Sequence, residues 1–474
     1  MKLPEKFATE MEGLFARHPE IAREGFYESF DLEGRRGVRF SCSKTAPDVR
    51  PSLLKDLSEQ LSPVPWCSCG YYISPDMSNR NPYYHAGVYY PQEPSAMLPA
   101  EVIAVKPGET VLDMCAAPGG KACRMGEDLH GSGLLVANEI SFERSKALLR
   151  NIERSGIPNV VILNENPDNI ARELPGFFDK ILIDAPCSGE GMFRRDPRAC
   201  RSYEEYGPAQ IAPVQKSILD AADICLKDGG EIVYSTCTFC EDEDEGQIAA
   251  FMASHPGYEV ICHPEIKGVT HNAEGSLLPG SMRIWPHISG GDGHFCVHLR
   301  KSGERRITKL SFVPSYKVPA SARRGADLAR EFLLSDILSE DGIRSLPDVP
   351  FTCHGSGLFL IEFDEKLFEH LKTVKTGLYI GDFKAVSNKT VFSPSNSLAL
   401  WLSRRMIREG SYIALDYGDD RVIRYLKGET ITAEDCRAKK NGSVVIGVKD
   451  YPLGFGKISG QTIKNLYPKA WRIM

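Results

Sequence analysis

Cys187 and Cys237 are the residues whose placement first suggests chemistry. Cys187 follows the apolar run Lys180–Asp184 through Ala185 and Pro186, and Cys237 follows the run Glu231–Ser235 through Thr236. Both runs are short and β-like, so both thiols are expected at C-terminal strand ends, on one rim of a sheet. A lone cysteine is most often a buried structural thiol. Two at one rim, one of them after an Asp-Ala-Pro turn, suit nucleophilic work better. A thiolate that adds to carbon 6 of a pyrimidine converts the ring to an enamine. Carbon 5 of the enamine can then attack an electrophilic methyl group, and one hard substitution becomes two easier steps. The thiolate is the reactive form, so such a site must favour it. A carboxylic acid near nitrogen 3 would donate a proton as the ring takes up charge, and a second thiol would assist loss of the carbon-5 proton.

Cys237 and Cys240 also form a C-x-x-C. A zinc site would need a second ligand pair at suitable spacing, and Cys67 with Cys69, far off in sequence, has the wrong one. A thioredoxin-like motif would open a helix, whereas an acidic stretch, Glu241–Glu245, follows here. The reading adopted therefore includes no metal.

A second constellation lies upstream. A strand ending near Asp113 and Met114 runs into Cys115, Ala116, Ala117, Pro118, Gly119, Gly120 and Lys121, with a helix expected from about Ala122. Two glycines at a strand-to-helix turn allow a ligand to approach the backbone, and the helix N-terminus offers unpaired N–H groups. About nineteen residues after Gly120 a second strand ends at Glu139, where a carboxylate can accept from two ribose hydroxyls. The loop is not G-x-G-x-x-G and carries no Lys-Ser/Thr, so a nucleoside without phosphates fits it better than a dinucleotide or triphosphate. S-adenosyl-L-methionine is the common one.

These residues need a frame. From Gly108 onward, apolar runs at Thr110–Met114, Leu134–Asn138, Asn159–Leu163, Lys180–Asp184 and Glu231–Ser235 alternate with helical stretches at Ser141–Ser155 and Val214–Leu226. That alternation predicts an α/β fold with a parallel sheet covered on both faces. Residues 1–100 read as an irregular N-terminal extension with a helix at Glu5–Arg17, and 101–302 as the catalytic domain. A basic, Pro/Ser-rich linker is expected at 303–325, a small α/β unit at 326–372, and a β-rich module at 373–474.

Of the 474 residues, 42% are hydrophobic and 25% charged, which excludes a disordered tail, a collagen-like repeat and a disulfide miniprotein. No apolar run reaches transmembrane length and the N-terminus lacks an apolar h-region, so the expected location is the cytoplasm, with no membrane partner and the 14 cysteines reduced. The net charge is -6, but from Thr373 to Met474 there are 17 Lys and Arg against 9 Asp and Glu, a net of +8, which leaves -14 for the rest. A basic terminal module on an acidic body fits a polyanion such as nucleic acid, or simply a solvated basic face.

With these residues in view, the chain resembles RNA 5-methylcytosine methyltransferases of the Fmu/Sun–NOL1/NOP2 group. The resemblance rests on CAAPGGK at Cys115–Lys121, DAPCSGEGMFRRDP at Asp184–Pro197, YSTCT at Tyr234–Thr238 and GVYYPQEPSAM at Gly87–Met97. RYLKGETI at Arg424–Ile431 and the stretch Pro452–Arg472 are similar to the small-subunit ribosomal RNA methyltransferase F branch and its PUA-like RNA-binding module. The resemblance implies a Rossmann-like, S-adenosylmethionine-dependent methyltransferase acting on carbon 5 of cytosine in small-subunit (16S) rRNA. It implies Cys237 as the nucleophile, Cys187 as the thiol that promotes product release, and Asp184 between cofactor and cytosine. Cys115–Lys121 and Glu139 would hold the cofactor, with Lys121 touching base or cofactor. Where the family has an Asp contacting adenine, this chain has Asn166, with Glu165 or Asp168 as alternatives in a shifted register.

Transfer RNA is the chief rival substrate. A DNA cytosine-5 methyltransferase would place its nucleophile at Pro186-Cys187, and a silent RNA-binding assembly factor would have lost a thiol or part of the loop, whereas all are intact. The enzyme is expected to act as a monomer.

Overall fold

The computed structural model describes residues 3–18, 21, 23–57, 61–74, 77, 81–305, 310, 320–386, 389–434 and 436–473. Most of the linker expected at 303–325 lies outside these residues.

The central sheet has ten strands: β1 (Thr110–Asp113), β2 (Leu134–Asn138), β3 (Val160–Leu163), β4 (Phe178–Asp184), β5 (Leu226–Thr236), β6 (Tyr258–Val260), β7 (Thr270–His271), β8 (Met282–Ile284), β9 (His294–Lys301) and β10 (Thr373–Thr376). Their order is β7-β8-β9-β5-β4-β1-β2-β3-β10, with β6 on β9. Strands β3, β2, β1, β4 and β5 run parallel, and every residue of β1, β2 and β3 is buried, as a sheet covered on both faces requires. The strand order reverses at β1, where β2 and β4 lie on opposite sides. That opens a crevice at the carboxyl ends of the strands. The five expected apolar runs fall on β1 to β5.

Helices α1 (Gly120–Asp128), α2 (Phe142–Ser155), α3 (Pro167–Glu173) and α4 (Pro197–Cys225, broken at Gly207) join these strands. α2 shows why the local sequence folds as it does. The Ser141 hydroxyl accepts from the Arg144 N–H at 3.4 Å, a cap worth about 1 kcal/mol, and Leu148 and Ile152 face the core. Gly156 ends the helix at φ +73°, where a Cβ would also meet the Leu400 carbonyl at 2.4 Å.

The first hundred residues are more ordered than the expected irregular extension. The helix Glu5–Arg17 is present, and strands Ser62–Pro63, Gly70–Ile73, Arg36–Phe40 and Tyr89–Pro91 form a small antiparallel sheet. These strands are two to five residues long, too short to show a period. The helix buries Phe7, Met11, Leu14 and Phe15 in an aromatic cluster with Phe26, Phe193, Phe239 and Trp285. Phe239 stacks on Trp285 at 5.3 Å, so the N-terminal helix braces the chain just past Cys237.

The strand Thr373–Thr376 pairs antiparallel with β3, and a four-stranded sheet of Thr352–His354, Gly357–Leu360, Leu378–Val386 and Lys389–Pro394 spans the boundary expected at 372/373. A five-stranded sheet follows in the order Tyr412–Leu415, Asn441–Val448, Tyr451–Ser459, Thr462–Asn465, Ile431–Thr432. It touches the N-terminal region through Tyr417 stacked on Tyr83 and through the Lys449–Asp56 ion pair. No described helix is long and apolar enough to cross a membrane.

Candidate functional site

Strands β4 and β5 are parallel neighbours in which Asp184 pairs with Ser235. The loops that leave their ends therefore start side by side, and the sulfurs of Cys187 and Cys237 come within 3.2 Å of each other. The Cys237 N–H also points at Cys187 Sγ, at 3.4 Å. The hydrogen bond with Cys237, and then burial, push the Cys187 thiol far up from its ordinary value.

The two loops are stitched together from behind. Ser188 N–H donates to Glu243 Oε2 at 3.0 Å, and Gln215 Nε2 donates to the same oxygen at 2.8 Å and to the Pro186 carbonyl at 2.9 Å. Gly191 N–H donates to the Cys237 carbonyl at 2.9 Å, so close that a Cβ on Gly191 would also sit 2.9 Å from that oxygen. Phe239 N–H donates to Glu190 Oε2 at 2.8 Å, and burial pushes the Glu190 carboxyl up to about 8.

Asp184 is held from three sides. Its Oδ2 accepts from Lys121 Nζ at 2.7 Å, its Oδ1 accepts from Ser235 Oγ at 3.0 Å, and His294 Nε2 lies 3.5 Å from Oδ1. Burial alone would raise this carboxyl, but Lys121 and then His294 outweigh it and hold the group well below the usual carboxylate range. On Lys121, burial lowers and Asp184 raises, and the balance favours the charged ammonium. The pair is ionic.

One cavity of about 820 Å³, of a size that suits a nucleoside-sized ligand and a base together, is lined by the residues of both constellations. Cys115, Ala117, Glu139, Asn166, Asp184, Cys187 and Cys237 all face it. Glu139 is buried, accepts from the Ser141 N–H at 2.8 Å and lies 3.4 Å from Arg144 Nη1. Of the three alternatives after β3, Asn166 lines the cavity while capping α3 through the Asp168 N–H at 3.0 Å. Glu165 instead bonds Asn169 and the Lys372 N–H.

Ala116, Pro118, Gly119 and Gly120 do not line the cavity. The two glycines also have a packing role. Gly119, at φ +112°, packs where a Cβ would meet Leu148 at 3.1 Å, and Gly120 packs where one would meet Gln92 and Tyr90 at 3.1 Å. Their lack of a Cβ lets α2 and the N-terminal region close on the loop. Lys121, in the first turn of α1, takes part through Asp184.

The structure adds residues that sequence reasoning missed. His294 comes from β9, and Glu243 from the acidic stretch Glu241–Glu245, in which Glu243, Asp244 and Glu245 are buried while Asp242 is exposed. In the same run Glu245 and Asp244 pair with Arg283, 38 and 39 residues further on. Asp113 is buried at the end of β1, and neither carboxylate oxygen has a side-chain hydrogen-bond partner. Burial, and then the charge of Asp184, push it up to about 8, with Lys121 and the Cys115 N–H pulling the other way. An uncompensated carboxyl next to a loop that faces an open cavity suits a cationic ligand, and S-adenosylmethionine is a cation; the residues present fit it.

Among the described residues no cluster of three or more His, Cys, Asp or Glu is arranged to hold a metal ion. Cys69 lies 2.9 Å from Cys42, but the Arg124 guanidinium stands 3.1 Å from its sulfur, a cation where a metal would need to be.

Residues 100–300 match the family model described as 16S rRNA methyltransferase RsmB/F, residues 412–473 the methyltransferase RsmF PUA domain, and residues 3–94 the N-terminal domain of 16S rRNA methyltransferase RsmF. A curated protein of Shewanella loihica described as ribosomal RNA small subunit methyltransferase F is 30% identical over 430 residues, 86% of this chain and 83% of that one. Its counterpart in Shewanella amazonensis is 29% identical over 470 residues, 95% and 94% of the two chains. A solved methyltransferase homolog from Pyrococcus horikoshii is similar with a TM-score of 0.53 and 26% identity, over 63% of this chain and 100% of its own.

Proposed function

Because the chain belongs to the ribosomal RNA small subunit methyltransferase F family, we propose that it methylates carbon 5 of cytosine in 16S rRNA, in the cytoplasm, through a covalent bond between Cys237 and carbon 6. It is an S-adenosylmethionine-dependent enzyme that transfers methyl groups to RNA. The observation that carries the finer reading is the 3.2 Å separation of the Cys187 and Cys237 sulfurs beside an ionic Lys121–Asp184 pair.

Cys187 keeps its proton at neutral pH because its partner sulfur and burial both oppose ionisation. That leaves Cys237 to add to carbon 6. As it does so, the ring takes up charge, and the protonated Lys121, held next to Asp184, supplies a preorganised positive charge. Asp184, ionised, accepts from the exocyclic amine and fixes the ring. The Cys115–Lys121 loop, Glu139 and Asn166 hold the cofactor. Bound S-adenosylmethionine supplies the methyl group as an electrophile.

Product release then falls to Cys187. Once Cys237 is bonded to carbon, the hydrogen bond and negative charge that raised the Cys187 thiol are gone. Its ionisation becomes easier at the step where a base is needed to take the carbon-5 proton. Loss of that proton re-forms the carbon 5–carbon 6 double bond, breaks the Cys237–carbon 6 bond and restores the thiolate. The PUA domain and the basic C-terminal part serve RNA binding.

The test offers labelled S-adenosylmethionine with small ribosomal subunits, free 16S rRNA and bulk tRNA, and reads nucleosides by mass spectrometry. 5-Methylcytosine in either ribosomal sample is the expected result. Methylcytosine only in tRNA would overturn the substrate, and none in any sample would favour a silent RNA-binding factor.

A further inference from the structure

A second groove, of about 510 Å³, shares no lining residue with the catalytic cavity. Three distant parts of the chain build it: Tyr84 and Tyr90 from the N-terminal region, Arg150 and Arg154 from α2, and Trp471 and Arg472 from the C-terminal tail. None of its lining residues is acidic. Arg150 is exposed and has no ion-pair or hydrogen-bond partner among the described residues. The Nε atoms of Arg154 and Arg472 are buried without a hydrogen-bond partner.

The Arg154 guanidinium lies 4.2 Å from the centre of the Tyr84 ring and 5.8 Å from that of Trp471, and its Nη1 donates to the Tyr84 hydroxyl at 2.7 Å and to Asn151 Oδ1 at 3.0 Å. If the cluster only glued domains together, a carboxylate would be the economical partner for these cations, as Glu127 is for Arg39 in the same region. Three guanidinium groups converging with no acid among them instead leave positive charge for a ligand to neutralise.

We propose that this groove binds a single-stranded segment of the substrate RNA, with phosphates on Arg150 and Arg472 and a base stacked against Trp471. The chemistry is specific: guanidinium forks match phosphate oxygens, and flat aromatic and guanidinium faces are platforms for unpaired bases. The location suits a flanking strand rather than the target base. Arg144 lines the catalytic cavity, and Arg150 stands six residues further along α2, about 9 Å down the helix axis. RNA held here would therefore run from the cavity toward the basic C-terminal part. The proposal rests on RNA being the substrate and deepens that reading by naming where a flank is held.

The test measures the affinity of a single-stranded RNA oligonucleotide across a potassium chloride series for the wild type, Arg150→Gln, the Arg150→Gln/Arg472→Gln double variant and Trp471→Ala. Each phosphate contact contributes about 0.7 to the log–log salt slope for single strands. The slope should fall in magnitude by about 0.7 in the single variant and about 1.4 in the double. Trp471→Ala should lose about 5- to 100-fold in affinity with little change of slope. The melting temperature and S-adenosylmethionine affinity of Arg150→Gln should match the wild type, since the replaced side chain is exposed and unpartnered; this variant keeps the test decisive even if the double variant folds poorly. An unchanged slope in Arg150→Gln, with wild-type methylation intact, overturns the groove and leaves the function standing. A wild type that neither binds RNA nor makes methylcytosine overturns both.

Discussion

The Cys187 and Cys237 sulfurs are 3.2 Å apart because the strands that deliver them are paired in register up to their C-terminal ends, Asp184 with Ser235. The same pairing puts the Asp184 carboxylate within reach of the Ser235 hydroxyl and, from the far side, of Lys121. Both thiols, the carboxylate and the ammonium are thus set by one parallel strand pair and the first turn of one helix. The strand pair starts the two loops side by side, and the bonds to Glu243 and Gln215 behind them hold the thiols in place.

Removing the cation should disable the site without unfolding it. Lys121→Met leaves Asp184, half-buried at the cavity wall, with only His294 and Ser235 to stabilise its charge, so the carboxyl rises. A preorganised charge of this kind is worth about 10²- to 10³-fold in kcat. In the wild type Asp184 is held below the usual carboxylate range, so the stability it contributes is present above that range and is lost only as pH falls through its lowered value. In Lys121→Met the loss should move up in pH, and the acid limb of the rate profile with it. The measurement is kcat against pH for wild type, Lys121→Met and Lys121→Arg. Arginine, which keeps the charge, should recover part of the rate.

Glu243→Ala should act at a distance. It leaves the Ser188 N–H without its acceptor in a buried place, a cost of about 1–3 kcal/mol, and the Gln215 amide with the Pro186 carbonyl as its remaining acceptor. The melting temperature should drop, and the Cys187 loop, no longer pinned, should lower kcat more than it raises KM. Calorimetry together with steady-state kinetics checks both.

How much of this was legible in the sequence depends on how local each signal is. β2, at Leu134–Asn138, matched its apolar run because turn residues flank it, and the helix Glu5–Arg17 matched because its apolar residues recur at helical spacing. α3 was missed: seven residues entered through Asn166 and Pro167 carry too little periodicity. β10 joins the sheet beside β3 from more than two hundred residues away, and such pairing leaves no local trace. The thiols, Asp184 and Lys121 were visible as motif residues. His294, a lone histidine in a strand, was not, and Glu243 was hidden in a charge run that usually means solvent. What buries the second half of that run is distant: Arg283 pairs with Asp244 and Glu245, and the aromatic cluster around Trp285 packs nearby.

Asp113 predicts a proton coupled to cofactor binding. Its carboxyl is raised to about 8, so the unfolded chain ionises first, and folding stability should fall as pH rises from the ordinary carboxylate range to about 8. Asp113→Asn should flatten that slope. Binding of a cation beside the loop favours the ionised form, so S-adenosylmethionine should release up to about one proton at pH 7. Titration calorimetry in two buffers of different ionisation enthalpy reads this directly, and equal heats in both would contradict it.

On the proposed route Cys237 carries the cytosine and Cys187 lets it go. The most direct measurement incubates wild type, Cys187→Ala and Cys237→Ala with 16S rRNA and S-adenosylmethionine and runs each on a denaturing gel. The expected result is a denaturant-resistant protein–RNA adduct in Cys187→Ala, little in the wild type, and neither adduct nor methylcytosine in Cys237→Ala. An adduct in Cys237→Ala, or methylation surviving there, would contradict it.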